Sequence, residues 1–176
     1  MRDSLKTTLT CLMTLALLPT AARAAYTVCA PHPGTVTATT YYSSGAFHGA
    51  VDIASGDTCG VRLVRTAVKG LLFWDVTIRT TGMTCYGNGS GNQNEVKHTF
   101  ANGYTFRQWH FLYDAELSKD QTCDRCAIGR EGGTGNVTGP HTHMQYDKSG
   151  TNSTSWYSGT VKGEFLDLDE VIGTVG

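Results

Sequence analysis

The stretch Glu95-Val96-Lys97-His98-Thr99-Phe100-Ala101-Asn102-Gly103-Tyr104-Thr105-Phe106-Arg107-Gln108-Trp109-His110-Phe111-Leu112 decides the fold class. Asn-Gly is a strong short-range hairpin signal, because both residues tolerate a positive φ. The runs on either side, Glu95–Thr99 and Thr105–Leu112, carry the β-branched and aromatic residues that suit a pleated, half-buried surface. They are expected to pair. Other short runs bounded by turn residues lie upstream: Tyr26–Val28, Thr35–Tyr42, Gly49–Ala54, then Val61–Val68 and Leu71–Arg79 as consecutive strands joined at Lys69-Gly70. Downstream come Ala127–Arg130, His141–Tyr146, Trp156–Gly159 and Gly163–Leu168. Gly82–Asn94 is a loop by composition. Short helices are expected only at Asp114–Leu117 and Asp167–Ile172.

Strand spacing of roughly 8–12 residues points to one mainly β domain, an antiparallel sandwich or barrel-like sheet. The composition agrees: 21 glycines but only 4 prolines among 176 residues, with 40% hydrophobic and 16% charged. Plentiful aromatics and a net charge of −1 argue against disorder and against nucleic-acid binding through bulk charge. No internal repeat or interdomain linker is visible, and a single domain is expected over residues 25–176.

The first 24 residues read as a secretory signal peptide. Arg2 and Lys6 precede an apolar run, Thr7–Leu18; Pro19 ends it, and Ala22-Arg23-Ala24 supplies small residues for cleavage. The run is shorter than the ~20 residues that a membrane-spanning helix needs. An uncleaved anchor is the competing reading. The expected product is secreted, extracellular or periplasmic, with no membrane attachment after cleavage. Cys11 leaves with the leader, and Cys29, Cys59, Cys85, Cys123 and Cys126 remain. An odd number in an oxidising compartment leaves one cysteine over. The expected pairing is Cys29 with Cys59 and Cys85 with either Cys123 or Cys126. A lone Cys123-Asp-Arg-Cys126 spacing, without a second such pair, favours a structural disulfide over zinc or redox chemistry.

Histidines carry the chemistry. In His48-Gly-Ala-Val-Asp52 an imidazole and a carboxylate can meet one cation if the chain bends at the small residues between them. In Gly139-Pro140-His141-Thr142-His143 the two imidazoles share a face if the segment is a strand; on that geometry either one could be the ligand. His110 stands alone in an aromatic strand, where a packed core histidine is the plain alternative. His32 and His98 have no partner motif and read as surface or structural residues. Two histidines and an aspartate make a suitable catalytic zinc set, leaving a fourth position for water. Further histidines nearby could move protons or stabilise an oxyanion. Serine hydrolase chemistry lacks a Gly-x-Ser-x-Gly elbow, and the cysteines are needed for disulfides.

The ordered His-x-x-x-Asp, mid-domain His and Gly-Pro-His-x-His resemble the lysostaphin/LytM-type zinc metallopeptidases that cut peptidoglycan peptides. The likeness spans about residues 45–150. Its most specific stretch, Ala127 to His143, is similar to the family signature IG…G.TG.STGPHLHFE. The resemblance implies an antiparallel β-sheet groove with loop walls and one zinc ion per chain, bound by His48, Asp52 and His143. It assigns His110 and His141 as the non-ligand catalytic histidines. It implies a peptidoglycan peptide with Gly-Gly or D-Ala-containing links as substrate; a monomer is expected, and no wall-targeting module is visible in the sequence. Ala50, Thr142, Met144-Gln145 and Trp109-His110-Phe111 depart from the family pattern and bear on pocket shape, hence on bond specificity. A catalytically inactive relative, binding wall peptide or activating another hydrolase, is the alternative.

Overall fold

A computed structural model describes residues 25–72, 76–117 and 123–176; the leader assigned from sequence lies outside these residues. The strands are β1 (Tyr26–Cys29), β2 (Gly34–Ala38), β3 (Val51–Ala54), β4 (Leu63–Arg65), β5 (Thr77–Arg79), β6 (Glu95–Thr99) and β7 (Thr105–Trp109). They continue with β8 (Leu112–Tyr113), β9 (Ala127–Arg130), β10 (Thr142–Lys148), β11 (Thr151–Asn152), β12 (Phe165–Leu166) and β13 (Val171–Val175). The chain is mainly β, as expected, and a 3₁₀ turn at Ser155–Tyr157 is the one helical element among the described residues. The main sheet runs β12-β2-β3-β10-β7-β6-β5, with β11 on β10; β4-β9-β8 and β1-β13 form smaller sheets, and every pairing is antiparallel.

The Asn-Gly hairpin forms as its sequence requires. Glu95 faces Trp109 and Thr99 faces Thr105. Gly103 takes φ +81°, and the Asn102 side chain accepts the Tyr104 amide at 2.9 Å. The period-two rule then sorts the central strands into two faces. Val51 and Ile53 of β3, Phe106 of β7, and Met144 and Tyr146 of β10 join Val28, Val36, Trp156 and Leu166 in the larger apolar core. Asp52, Arg107, Trp109, His143, Gln145 and Asp147 occupy the alternate positions and take the other face. A smaller core gathers Val64, Val96, Phe111, Cys126 and Ile128 beneath the three-stranded sheet. Arg125 joins the parts. Its guanidinium donates to the carbonyls of Cys29 (3.0 Å), Ala67 (2.8 Å) and Ala30 (2.6 Å) and to the Asp169 carboxylate.

Several expectations are corrected. Val61–Val68 and Leu71–Arg79 are not a hairpin: β4 pairs with β9, β5 pairs with β6, and Ala67, Val68 and Leu71 bury as core residues of a connecting segment. Trp156 and Tyr157 are consecutive and both buried, which an alternating strand cannot arrange, and the chain makes a 3₁₀ turn there. Neither expected helix forms. Asp114 caps a single turn, and Asp169 at φ +69° ends the second before β13 begins, a strand the pattern did not reveal. The disulfides are Cys59–Cys85 and Cys123–Cys126, with Cys29 unpaired and buried. Cys29 is drawn into β1 against Ala67, which receives its amide at 2.9 Å, so the expected pairing with Cys59 does not occur. Two disulfides are compatible with an extracellular protein. Among the described residues no helix is long and apolar enough to cross a membrane.

Candidate metal centre

His48, Asp52 and His143 come together, each offering a ligand atom within 4.8 Å of the others, and all three are buried. The backbone explains the meeting. Gly49 takes φ +66°, and the amides of His48 and Gly49 both donate to the Thr40 carbonyl. This bends the chain just before β3 and turns the His48 ring back over Asp52. A side chain at position 49 would collide with the Phe47 ring, 2.6 Å from an added Cβ. On the neighbouring strand His143 lies directly opposite Asp52 in register.

The ring nitrogens not facing the centre are already engaged. His48 Nδ1–H donates to the Thr39 carbonyl at 2.8 Å, which leaves Nε2 to face the centre. His143 Nε2–H donates to Gln145 Oε1 at 2.9 Å, which leaves Nδ1 to face it. Gln145 in turn donates to Asp147 at 3.0 Å, and Asp147 accepts Arg107 Nε at 2.7 Å. Hydrogen bonds of this kind orient histidine ligands and fix their tautomers. His48 Nε2, His143 Nδ1 and Asp52 Oδ1 form a triangle with edges of 3.1, 2.9 and 3.3 Å. A tetrahedral zinc with bonds of 2.0–2.1 Å needs ligand–ligand edges of about 3.3 Å, so the donor set fits such an ion. Burial would raise the Asp52 carboxyl, but a proton shared with the facing nitrogens of His143 and His48 in the metal-free site holds it well below the usual carboxylate range, and a bound cation would take that proton's place.

His141 and His110 join the same cluster. His141 Nε2 lies 3.8 Å from Asp52 Oδ1, and its Nδ1–H is tied to the Gly139 carbonyl at 2.9 Å. The His110 and His141 rings are 4.7 Å apart. His110 is bound at both backbone ends: its amide donates to Asn94, and its carbonyl accepts from Thr134. Its Nδ1–H donates to the Thr134 carbonyl at 2.6 Å. Burial, then the charges of His141 and His143, push its pKa down to about 3. The expected strand Thr105–Leu112 breaks here, because His110 takes φ +79°. In an unbroken strand Trp109 and His110 would face opposite ways. The break lets Trp109 stack on the His143 ring (4.7 Å, 11° between planes) while His110 turns toward the same site.

A groove of about 940 Å³ opens over these groups, walled by the Tyr42–Ser44 turn, by Ser90, Gly91 and Gln93, and by residues 136–140. The Cys59–Cys85 disulfide anchors the glycine-rich wall, and Gly133 and Gly135 carbonyls accept the amides of Gly87 and Asn88. Several contributors escaped the sequence reading. Gln145 is an ordinary residue in the pattern, and only the alternation of β10, which puts 143 and 145 on one face, could have flagged it. Tyr42 packs its ring 4.3 Å from His48. Asn94 bonds Gly82, Phe111 and Thr81 from full burial and carries no motif. His32, read as surface or structural, is wholly buried, whereas His98 packs against Phe100 on the edge of the core. No protein-family model and no curated protein matches the chain.

Proposed function

We propose that the chain is an exported zinc metalloendopeptidase that hydrolyses peptide bonds in bacterial peptidoglycan. The observation that carries this reading is the convergence of two inward-facing imidazole nitrogens and one ionised carboxylate on a floor shared with two non-ligand histidines, under an open groove. A closed structural zinc site would have a fourth protein ligand and no groove above it. The resemblance of Gly139–His143 and its flanking stretch to wall-cutting peptidases supports the substrate class. The signal-like leader and the disulfides support export.

Zinc held by His48, Asp52 and His143 would supply Lewis acidity, polarising a carbonyl and lowering the pKa of a water to about 7. The protein's own groups do the rest. The hydrogen bonds to Thr39 and Gln145 fix the ring orientations, so that His48 Nε2 and His143 Nδ1 are the nitrogens aimed inward. His141 and His110 each have Nδ1–H committed to a carbonyl, so each presents Nε2 as an acceptor toward the groove. His141, with a side chain 18% exposed, can take a proton from the attacking water and hand it to the leaving amine. His110, held neutral, serves as a hydrogen-bond acceptor that orients the water rather than as the base that takes its proton. The groove walls align an extended peptide across these atoms, supplying orientation.

The test is zinc stoichiometry beside digestion of purified muropeptides, read by mass spectrometry, for the mature chain and its variants. Asp52→Ala and His143→Ala are expected to lose both zinc and activity. His141→Ala is expected to keep its zinc while kcat falls by about 10²–10⁴-fold. Equal zinc loss in His141→Ala and His143→Ala would overturn the division of roles. A zinc-loaded wild type that cuts no muropeptide would leave only the wall-binding alternative.

A further inference from the structure

We propose that His32 is a positioning residue for the metal centre, acting from the opposite face of the sheet through Thr142; the proposal rests on the metal-site reading above. Thr142 lies between His141 and His143, so its side chain points away from them into the protein. It is wholly buried, and so is His32. His32 Nδ1 bonds the Pro33 carbonyl at 3.0 Å, which fixes the hydrogen on Nδ1. Nε2 is then an acceptor, and it receives the Thr142 hydroxyl at 2.9 Å. Glu131, only 1% exposed, sets its carboxylate 3.8 Å from the same Nε2. That carboxylate also accepts the Ser55 amide at 2.9 Å and the Ser55 hydroxyl. Ser55 directly follows β3, the strand that carries Asp52. His32 therefore holds the strand of His143 through Thr142, while the neighbouring Glu131, with no hydrogen bond to His32, holds the end of the strand of Asp52 through Ser55.

Such a network is a costly way to fill space. Buried polar and charged groups lose hydration, and apolar residues of similar volume often stabilise a core at least as well. What directional bonds supply is discrimination. A one-residue slip of β10 on β3 would send His143 into the core and Thr142 to the metal face. Loss of Met144 and Tyr146 from the core already opposes that slip, and the Thr142–His32 bond, which exists in one register only, adds a directional restraint between the two histidines. Pinning the seam sets the distance between Asp52 Oδ1 and His143 Nδ1, and hence the affinity of the site.

The experiment compares Thr142→Val, which keeps the shape and deletes the hydroxyl, with Thr142→Ser, which keeps the hydroxyl and deletes a methyl. Zinc affinity of the full mature chain is measured by competition with a chromophoric chelator, alongside Tm. Thr142→Val is expected to bind zinc about 10–100-fold more weakly, the range seen when groups behind a metal ligand are removed. Thr142→Ser should stay within about threefold of wild type, the bond rather than the volume being what matters. A purely structural role predicts the reverse order, with Thr142→Val unaffected in zinc affinity. That result, or a Thr142→Ser as weak as Thr142→Val, overturns the proposal. Should Thr142→Val fail to fold, the ring ¹⁵N spectrum of the wild type decides: the Nδ1–H tautomer of His32 is expected, and an Nε2–H tautomer, which would turn the bond round and leave Nδ1 without a hydrogen for Pro33, overturns the proposed arrangement. A wild type that binds zinc but cuts no wall peptide defeats the peptidase reading alone. One that binds no zinc defeats both.

Discussion

Gln145→Leu is the sharpest single test of how the metal centre is built. The amide oxygen of Gln145 is the acceptor for His143 Nε2–H at 2.9 Å, in a site where Gln145 is only 8% exposed. Leucine fills a similar space and offers no acceptor. The buried N–H is then left without a partner, at a cost of about 1–3 kcal/mol. The ring can relieve that cost by moving its hydrogen to Nδ1, the atom that must be bare to ligate. Metal binding has to reverse that shift, so the penalty is drawn from binding free energy. Zinc affinity should fall by about 10–100-fold, equivalent to about 1.4–2.7 kcal/mol. Chelator competition measures the affinity. Gln145→Glu, which keeps an acceptor for the same N–H, should lose less zinc affinity than Gln145→Leu even though its carboxylate crowds Asp147. A Gln145→Leu protein that binds zinc as tightly as the wild type would refute the argument that this bond sets the His143 tautomer.

Arg125→Met removes one hydrogen bond from each of three carbonyls and should cost about 3 kcal/mol, at about 1 kcal/mol per lost bond. Calorimetry should then show Tm lower by roughly 6–12 °C; an unchanged Tm would contradict the clamp. Burial lowers the pKa values of His32 and His110, so both stay neutral in the fold while the unfolded chain takes up protons below its ordinary histidine pKa. Stability of the metal-free protein is therefore complete above about pH 6.5 and lost as pH falls toward the folded values, with a slope of up to about 1.4 kcal/mol per pH unit for each histidine. Denaturant titrations at pH 7 and pH 5 measure it, and equal midpoints would be inconsistent with neutral burial. Opening the Cys59–Cys85 link, which closes a separation of 26 residues, by a double serine substitution should cost about 3.5 kcal/mol on a chain-entropy estimate. No cysteine stands at the metal centre, so kcat of the folded variant should change far less than its Tm; a kcat that collapses while Tm holds would be incompatible with this.

The sequence was most legible where one rule governs a whole segment. The Asn102-Gly103 hairpin, the Gly82–Asn94 loop and β9 follow turn chemistry and alternation, and the structure keeps them. The histidine motifs were legible because His-x-His needs only period two and His-x-x-x-Asp needs only a bend, which Gly49 supplies. What stayed hidden depends on contacts remote in sequence. β13 exists because β1 pairs with it, and nothing local in Val171–Val175 requires that. The cysteine pairing follows from loop paths that spacing does not encode. Gln145, Asn94 and Glu131 look like ordinary polar residues until folding buries them next to atoms that need a partner.

The left-handed backbone at His110 also constrains how that position can be changed. Most residues occupy φ +79° at a cost of about 1–2 kcal/mol, whereas glycine and, to a lesser degree, asparagine adopt it readily. Histidine already bears that cost, so an alanine there removes the imidazole and leaves the backbone strain in place. Glycine or asparagine removes the imidazole and relieves the strain as well. Variants of this position that remain folded should therefore be dominated by small or carboxamide residues, and β-branched ones should drop out for reasons unrelated to proton transfer. A saturation library sorted first for folding and then for activity would separate the two demands that this one residue meets.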